Sequence, residues 1–305
     1  MPDLSIQLLP GLKLKNPVIA ASGTAGYGDE PSRLYDIADL GGFACKGTTL
    51  KPRAGNPQPR IMETENGLLN AIGLQNPGVE YVIEHYAPLW AKWRTPVLVN
   101  IAGESIEDYA EIASRLDKVP GVAALEVNIS CPNVKAGCLE FGATAEGAAA
   151  VTRAVKNATS LPVIVKLTPN TSDIVALAQA VESAGADAIS LINTLRGMAI
   201  DIKKKKPVLG NVTGGLSGPA IKPVALAMVW RVAGGVRIPV IGGGGISSAE
   251  DAIEFLMAGA SAVEVGTAAL VNPGAPIDIV KGIEKCMLQW KMTGLTELIG
   301  AARRP

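Results

Sequence analysis

Apolar residues in this chain follow two rhythms. Short runs rich in Val, Ile and Ala fall at 18–22, 43–48, 96–102, 124–130, 162–168, 188–193, 239–243 and 262–266. Each is too short for a helix, and most are rich in β-branched residues, so they predict eight strands. Between them lie amphipathic segments with a helical period, at 106–116, 145–158, 172–184, 219–233 and 249–258. Gly185 and Gly259 follow two of these segments and can supply the left-handed residue that stops a helix. Strand–helix alternation repeated eight times predicts an α/β fold, a (β/α)8 TIM barrel. The alternative, a doubly wound open sheet, usually carries fewer units. Residues 4–16 predict an N-terminal β-hairpin that turns at Pro10-Gly11. No shift of composition divides the chain, so 1–305 reads as one domain.

Composition fits that picture. Hydrophobic residues make up 48% of the chain and aromatics only 4%, as suits parallel strands covered by helices. The 28 basic and 28 acidic residues cancel, so no general attraction to nucleic acid or to a membrane surface is expected. The one basic run, Lys203 to Lys206, reads as a solvated loop. No apolar stretch reaches the length of about 18 residues that a spanning helix needs. The opening residues lack a basic segment followed by an apolar one, so no signal peptide is expected. Cys45, Cys131, Cys138 and Cys286 form no Cys-x-x-Cys pair, which suits reduced thiols, a cytoplasmic setting and no metal site. His85 is the only histidine and lies in a helical stretch, where a surface or packing role is expected. A Ser-His-Asp hydrolase and a multi-histidine metal centre are thereby disfavoured.

Chemistry in a barrel sits at the C-terminal rim of its strands. Polar residues gather there: Lys46 after the second strand, Asn100 in the third, Asn128 in the fourth, Lys166 in the fifth and Asn193-Thr194 after the sixth. Such groups are costly beside apolar runs unless something partners them, so they predict a ligand-binding rim. The seventh strand runs into Gly242-Gly243-Gly244-Gly245, ahead of a helix opening at Ser247-Ser248, and the eighth ends at Gly266-Thr267. Glycines let backbone N–H groups approach an anion, and a helix start adds positive potential, so these loops predict a phosphate site. A valine at Gly244 is expected to put its branches where a phosphate oxygen would lie. A second cluster, Thr213 to Gly218, is placed to close over the same ligand. The fourth strand ends in Asn128-Ile129-Ser130-Cys131-Pro132-Asn133, with Cys131 flanked by amides on a rim loop. A thiolate there can serve as a base, although a cysteine is often only a small buried residue.

With that motif the chain resembles the dihydroorotate dehydrogenases, most of all the soluble NAD-linked B form. The resemblance runs nearly end to end, through Ala21-Ser22-Gly23-Thr24, Lys46-Gly47-Thr48, Asn56-Pro57-Gln58-Pro59-Arg60 and the segment from Asn70 to Asn76. It continues through Lys166-Leu167-Thr168-Pro169-Asn170, Asn193-Thr194, Gly214 to Gly218 and the two phosphate loops. It implies an FMN enzyme that oxidises (S)-dihydroorotate to orotate in pyrimidine biosynthesis. It implies Cys131 as the base for the C5 proton while C6 gives hydride to flavin N5. It implies that Lys46 touches both flavin and substrate, and that Asn70, Asn128, Asn133 and Asn193, with Thr194, read the pyrimidine edges. The backbone of Ile72, Gly73 and Leu74 should help hold the substrate. Lys166 is implied beside the flavin ring, favouring negative charge on its reduced form. Ser22, Lys46, Gly47, Asn100, Asn128, Ile192, Gly218, Gly244, Gly245, Gly266 and Thr267 match FMN contacts.

The membrane-bound type has an N-terminal extension and a serine base, and this sequence shows neither. The B form works with a second subunit that carries FAD and a 2Fe–2S cluster, in a heterotetramer of two catalytic and two electron-transfer subunits. The chain has no cluster-type cysteine set and no Gly-x-Gly-x-x-Gly in a Rossmann setting, consistent with NAD being met on such a partner. Rival readings stay open at this point. They are a single-subunit, fumarate-linked dihydroorotate dehydrogenase, an FMN barrel like that of dihydropyrimidine dehydrogenase, a flavin-free phosphate-binding isomerase or lyase, and an idle barrel kept for assembly.

Overall fold

The computed structural model describes residues 1–130, 132–133 and 139–304. Eight parallel strands close into a barrel: β1 (Val18–Ala20), β2 (Gly42–Ala44), β3 (Val97–Ile101), β4 (Val122–Asn128), β5 (Val163–Lys166), β6 (Ala188–Leu191), β7 (Val240–Gly243) and β8 (Ala262–Val265). Neighbours in the sequence are neighbours in space, and β8 pairs with β1, with Val263 opposite Val18. All eight predicted strands are present, mostly shorter than their apolar runs. They end early because the chain leaves the ladder at the rim. The Asn128 side chain accepts from the Ser130 N–H at 3.1 Å, a local turn that competes with further pairing.

Helices cover the outside where the sequence caps them. Ser105, Thr144, Asp173 and Ser248 accept from the first turns of Ile106–Leu116, Ala145–Ala158, Ile174–Ser183 and Ala249–Met257. Gly185 and Gly259 have positive φ after two of these helices. The first crossover differs: two 3-10 turns, Pro31–Arg33 and Ile37–Asp39, stand where a helix would be. His85 packs on the outside, its ring stacked on Tyr81 with centroids 3.8 Å apart.

The N-terminal hairpin, Ile6–Leu9 paired with Leu12–Leu14, stoppers the lower end of the barrel. Its Leu8, Leu9, Leu12 and Leu14 are buried against Ile19, Ala44, Leu98, Ala124, Ile164, Ala188, Ile241 and Ala262, one residue from each strand. At the opposite end stands a four-stranded antiparallel sheet, in the order Leu195–Met198, Thr213–Ser217, Gly67–Asn70, Ile61–Thr64. It is built from the connections after β2 and β6. The glycine cluster expected to close over the ligand is for the most part a strand of this sheet, Thr213–Ser217. A Cβ on Gly214 would lie 2.5 Å from the Asn70 carbonyl oxygen, and one on Gly215 would lie 2.0 Å from Thr194 Oγ1. Those close approaches, rather than a turn, call for glycine.

Candidate active site

Side chains alternate along a strand, so the residue two positions beyond an interior residue is again interior. From the lower layer this rule leads to Lys46, Asn100, Glu126, Lys166, Ser190 and Glu264. Above them, between the strand ends and the antiparallel sheet, opens a cavity of about 770 Å³. Its wall includes Ser22, Lys46, Gly47, Asn70, Ile72, Gly73, Leu74, Asn100, Asn128, Lys166, Ile192, Asn193 and Thr194. Gly218, Gly244, Gly245, Gly266 and Thr267 complete one side. Every candidate whose side chain is described thus meets in one hollow. Cys131 lies outside the described residues, as does the side chain of Asn133. The backbone of Pro132–Asn133 pairs with Leu139–Glu140 in a short antiparallel ladder.

The floor carries a buried charge cluster. Lys166 Nζ donates to Glu264 Oε2 at 2.5 Å and lies 3.3 and 3.4 Å from the two oxygens of Glu126. Asn100 Nδ2 donates to Glu126 Oε2 at 2.6 Å, and Ser190 Oγ donates to Oε1 at 2.8 Å. Burial alone would raise the Glu126 carboxyl, but Lys166 and hydrogen bonds from its neighbours hold it below the carboxylate range. Burial alone would lower the Lys166 ammonium, but Glu126 and Glu264 raise it. Glu264 is pushed up to about 8, by burial first and by the Glu126 charge second, against the pull of Lys166. Lys166 therefore lines the cavity as expected, but its charge is already paired with carboxyl groups. The sequence reading passed over Glu126 and Glu264. Their signal was there: each stands alone in an otherwise apolar strand, Ala124-Leu125-Glu126-Val127 and Ala262-Val263-Glu264-Val265. A carboxylate so placed needs a buried partner.

Amides form the next layer. Asn193 Nδ2 donates to Asn128 Oδ1 at 3.2 Å and to Ser130 Oγ at 3.0 Å, and the Thr194 N–H donates to Asn193 Oδ1 at 2.8 Å. Tyr109 anchors the group from outside, donating to the Asn128 carbonyl at 2.6 Å. Asn70 is held more loosely, 3.4 Å from the Gly215 carbonyl. The ammonium of Lys46 has no partner among the described residues. Cys45 next to it is fully buried, and burial pushes its thiol up to about 12, so it stays a neutral packing residue.

The glycine side of the cavity needs two corrections. Ser247 and Ser248 do open a helix, but their N–H groups donate to Asp251 Oδ2 at 2.8 and 3.0 Å, so that helix start is capped from within. A Cβ on Gly244 would sit 2.7 Å from the Ala225 Cβ and 3.1 Å from Ile192 Cγ1, with φ at +120°. A side chain there would strain the barrel wall instead of filling a phosphate position. Gly266 is the opposite case: its Cβ would meet only Ala21 at 3.4 Å and Thr24 at 3.6 Å, in ordinary contact.

Comparison with known proteins decides the family. The family model described as dihydroorotate dehydrogenase matches residues 5–287. The chain belongs to the dihydroorotate dehydrogenase family. It is similar to "Dihydroorotate dehydrogenase B (NAD(+)), catalytic subunit" of Desulforamulus reducens, 58% identical over 95% of this chain and 96% of that one. Proteins of the same description from Pelobacter propionicus and Trichlorobacter lovleyi are 55% and 56% identical, each over 98% of both chains. In this family member the barrel, the hairpin at its base and the cavity at its C-terminal end together set the stage for chemistry. No helix among the described residues is long and apolar enough to cross a membrane.

Proposed function

We propose that this chain oxidises (S)-dihydroorotate to orotate as the FMN-binding catalytic subunit of an NAD-linked dihydroorotate dehydrogenase, in de novo UMP biosynthesis in the cytoplasm. The observation that carries the reading is one cavity that gathers the Lys46 ammonium, without a partner among the described residues, with the amides of Asn70, Asn128 and Asn193 and a glycine-rich wall. Amides both donate and accept, as the edge of a pyrimidine-dione requires. An ammonium suits the carboxylate of the substrate.

FMN fits what the residues leave open. The cavity volume of about 770 Å³ lies in the range of cofactor sites. Asn100 Oδ1 is buried without a hydrogen-bond partner among the described residues, which is costly unless a bound group supplies one. Gly218 and the backbones of Gly244, Gly245, Gly266 and Thr267 would hold the phosphate, with Ser22, Gly47, Asn100, Lys166 and Ile192 toward the ring. Bound there, FMN would supply the hydride acceptor that the side chains of the chain lack. Lys46 and the amides would fix the substrate ring, and Cys131 would take the C5 proton as general base. Electrons would leave to NAD through a partner subunit carrying FAD and a 2Fe–2S cluster, in an assembly of two subunits of each kind.

The purified chain should show a visible flavin band that shifts when orotate is added. Dihydroorotate should bleach that band, whereas NAD should be reduced rapidly only after the second subunit is added. A colourless protein would overturn the reading, and rapid fumarate turnover by the lone chain would replace the NAD-linked form with the single-subunit one.

A further inference from the structure

Two carboxyl groups share one ammonium beneath the cavity. Glu126 has no exposed surface, Glu264 is 5% exposed and Lys166 is 8% exposed. With all three ionised the cluster would carry one net negative charge in a nearly water-free place, which is expensive. One proton makes it neutral, and the geometry says where that proton goes. Glu126 accepts from Asn100, Ser190 and Lys166, so its carboxylate is fully served. Among the described residues Glu264 accepts from Lys166 alone, through Oε2, and its buried Oε1 has no partner. A carboxylate oxygen left unserved favours the acid form.

We propose that Glu264 stands as a neutral carboxylic acid under the cavity at neutral pH and that, in alkaline solution where it is ionised, it takes up one solvent proton when negative charge is placed above Lys166 and releases it when that charge is removed. It is a positioning residue that compensates charge through Lys166. Its neighbours on β7 and β1, at Gly243 and Ile19, bring no charge. The ionisable groups that face it are Glu126 from β4 and Lys166 from β5, with Lys46 on the same cavity wall and the neutral Cys45 thiol behind Glu126. At a pH above its resting titration Glu264 is ionised, negative charge arriving above Lys166 disfavours this second carboxylate, and it takes one proton from a solvent hydronium or water to become the acid. The resting proton is a property of the chain alone. The link to reduction rests on the function proposed above, with flavin as the group that gains the charge.

Two measurements separate the parts. In protein labelled with 13C at the glutamate side-chain carboxyls, one resonance should remain in the acid form at neutral pH and titrate well above the others. It should vanish in Glu264→Gln. In Glu126→Gln the single remaining carboxylate pairs alone with Lys166, so the Glu264 resonance should return to the ordinary carboxylate range. A wild-type spectrum in which every glutamate titrates ordinarily would overturn the proposal, even if neither variant folds. The second measurement is proton uptake, read with a pH indicator in weakly buffered solution during anaerobic reduction of the bound flavin. Above the resting titration of Glu264, wild type should take up one proton more per two electrons than Glu264→Gln. Equal counts would overturn the charge-compensating role and leave the resting proton standing. Absence of flavin would overturn the proposed function, while the carboxyl titration would still be read.

Discussion

At the lower end of the barrel Ile19, Leu98, Ile164 and Ile241 meet the leucines of the hairpin. Two residues further along three of the same strands come Asn100 on β3, Lys166 on β5 and, on β7, the backbone of Gly243. The strands, their twist and their outer helices are common to both layers. Only the inward side chains differ, and with them what holds each layer together. The lower layer is held by apolar burial, which is non-directional and tolerates exchange of similar volumes. The upper layer is held by directed hydrogen bonds and ion pairs that cost more when one partner is missing than they return when complete. The molecule thus keeps its stability where no ligand reaches and keeps the groups that lack a partner among the described residues, Lys46 and Asn100 Oδ1, where a ligand can serve them.

The contrast is sharpest if a change above the floor removes chemistry and leaves the fold alone. Cys131→Ala should lower the rate of flavin reduction by dihydroorotate by about 10²–10⁴-fold, the usual cost of losing a general base. Flavin content and melting temperature should match wild type. Stopped-flow reduction at near-normal rate would remove Cys131 from the proposed role. Cys131→Ser should keep some activity, displaced to higher pH, because a hydroxyl yields its proton less readily.

The cluster on the floor tests the same contrast through pH. Folding raises the Glu264 carboxyl from its ordinary value of 4.5 to about 8. Between those values the folded chain holds a proton that the unfolded chain has released. Stability should therefore fall as pH rises through that window, with a slope of up to about 1.4 kcal/mol per pH unit. Below the window both states hold the proton and this contribution is flat. Glu264→Gln cannot ionise, so denaturant melts of the variant should lose that slope. A variant that keeps the wild-type slope would place its origin elsewhere.

Below the floor the expected result inverts. Leu98 is fully buried in the lower layer, and Leu98→Ala should cost about 2–5 kcal/mol of stability from lost burial and the cavity left behind. At a temperature where the variant remains folded, its flavin spectrum and its orotate-induced shift should be those of wild type. A weakened orotate response with unchanged stability would show that the two layers are not separable.

Fold and rim were legible for different reasons. The eight strands declared themselves because parallel strands buried on both faces leave runs such as Val163-Ile164-Val165 that nothing else explains. The hairpin showed through its turn at Pro10-Gly11, and Gly11 does adopt positive φ. Lys46, Asn128 and Asn193 were found because polar groups at strand ends stand out against apolar neighbours. The antiparallel sheet was hidden, because Thr213-Gly214-Gly215 has the composition of a loop. Its glycines answer to Asn70 and Thr194, far away in sequence, and no local pattern encodes that. The first crossover was hidden by period counting, since Gly26, Gly28 and Pro31 break any helix there. Glu126 and Glu264 each interrupt an apolar run singly, and the cation that partners them, Lys166, lies 40 and 98 residues away, so no local pattern pairs the charges.

The smallest effect lies at the outer edge of the upper layer, where water weakens what the floor makes strong. Arg53 and Glu104 both line the cavity mouth and pair at 2.7 Å, with side chains 36% and 55% exposed. An exposed pair of this kind contributes only about 0–1 kcal/mol, so Glu104→Gln should leave the melting temperature nearly unchanged. Its consequence should be kinetic. Removing the carboxylate leaves the Arg53 guanidinium uncompensated beside the entrance, and an anionic substrate approaching it gains attraction at long range. Orotate should then associate a few-fold faster at low ionic strength, by roughly the size expected for one added charge near a site. At salt high enough to shrink the screening length to about 3 Å, the difference should disappear. The same substitution applied to a floor carboxyl, Glu126→Gln, should show almost no such salt dependence, because its charge lies beyond the reach of mobile ions. If both variants respond to salt alike, the mouth and the floor share one dielectric environment and the contrast between the layers fails at its upper boundary.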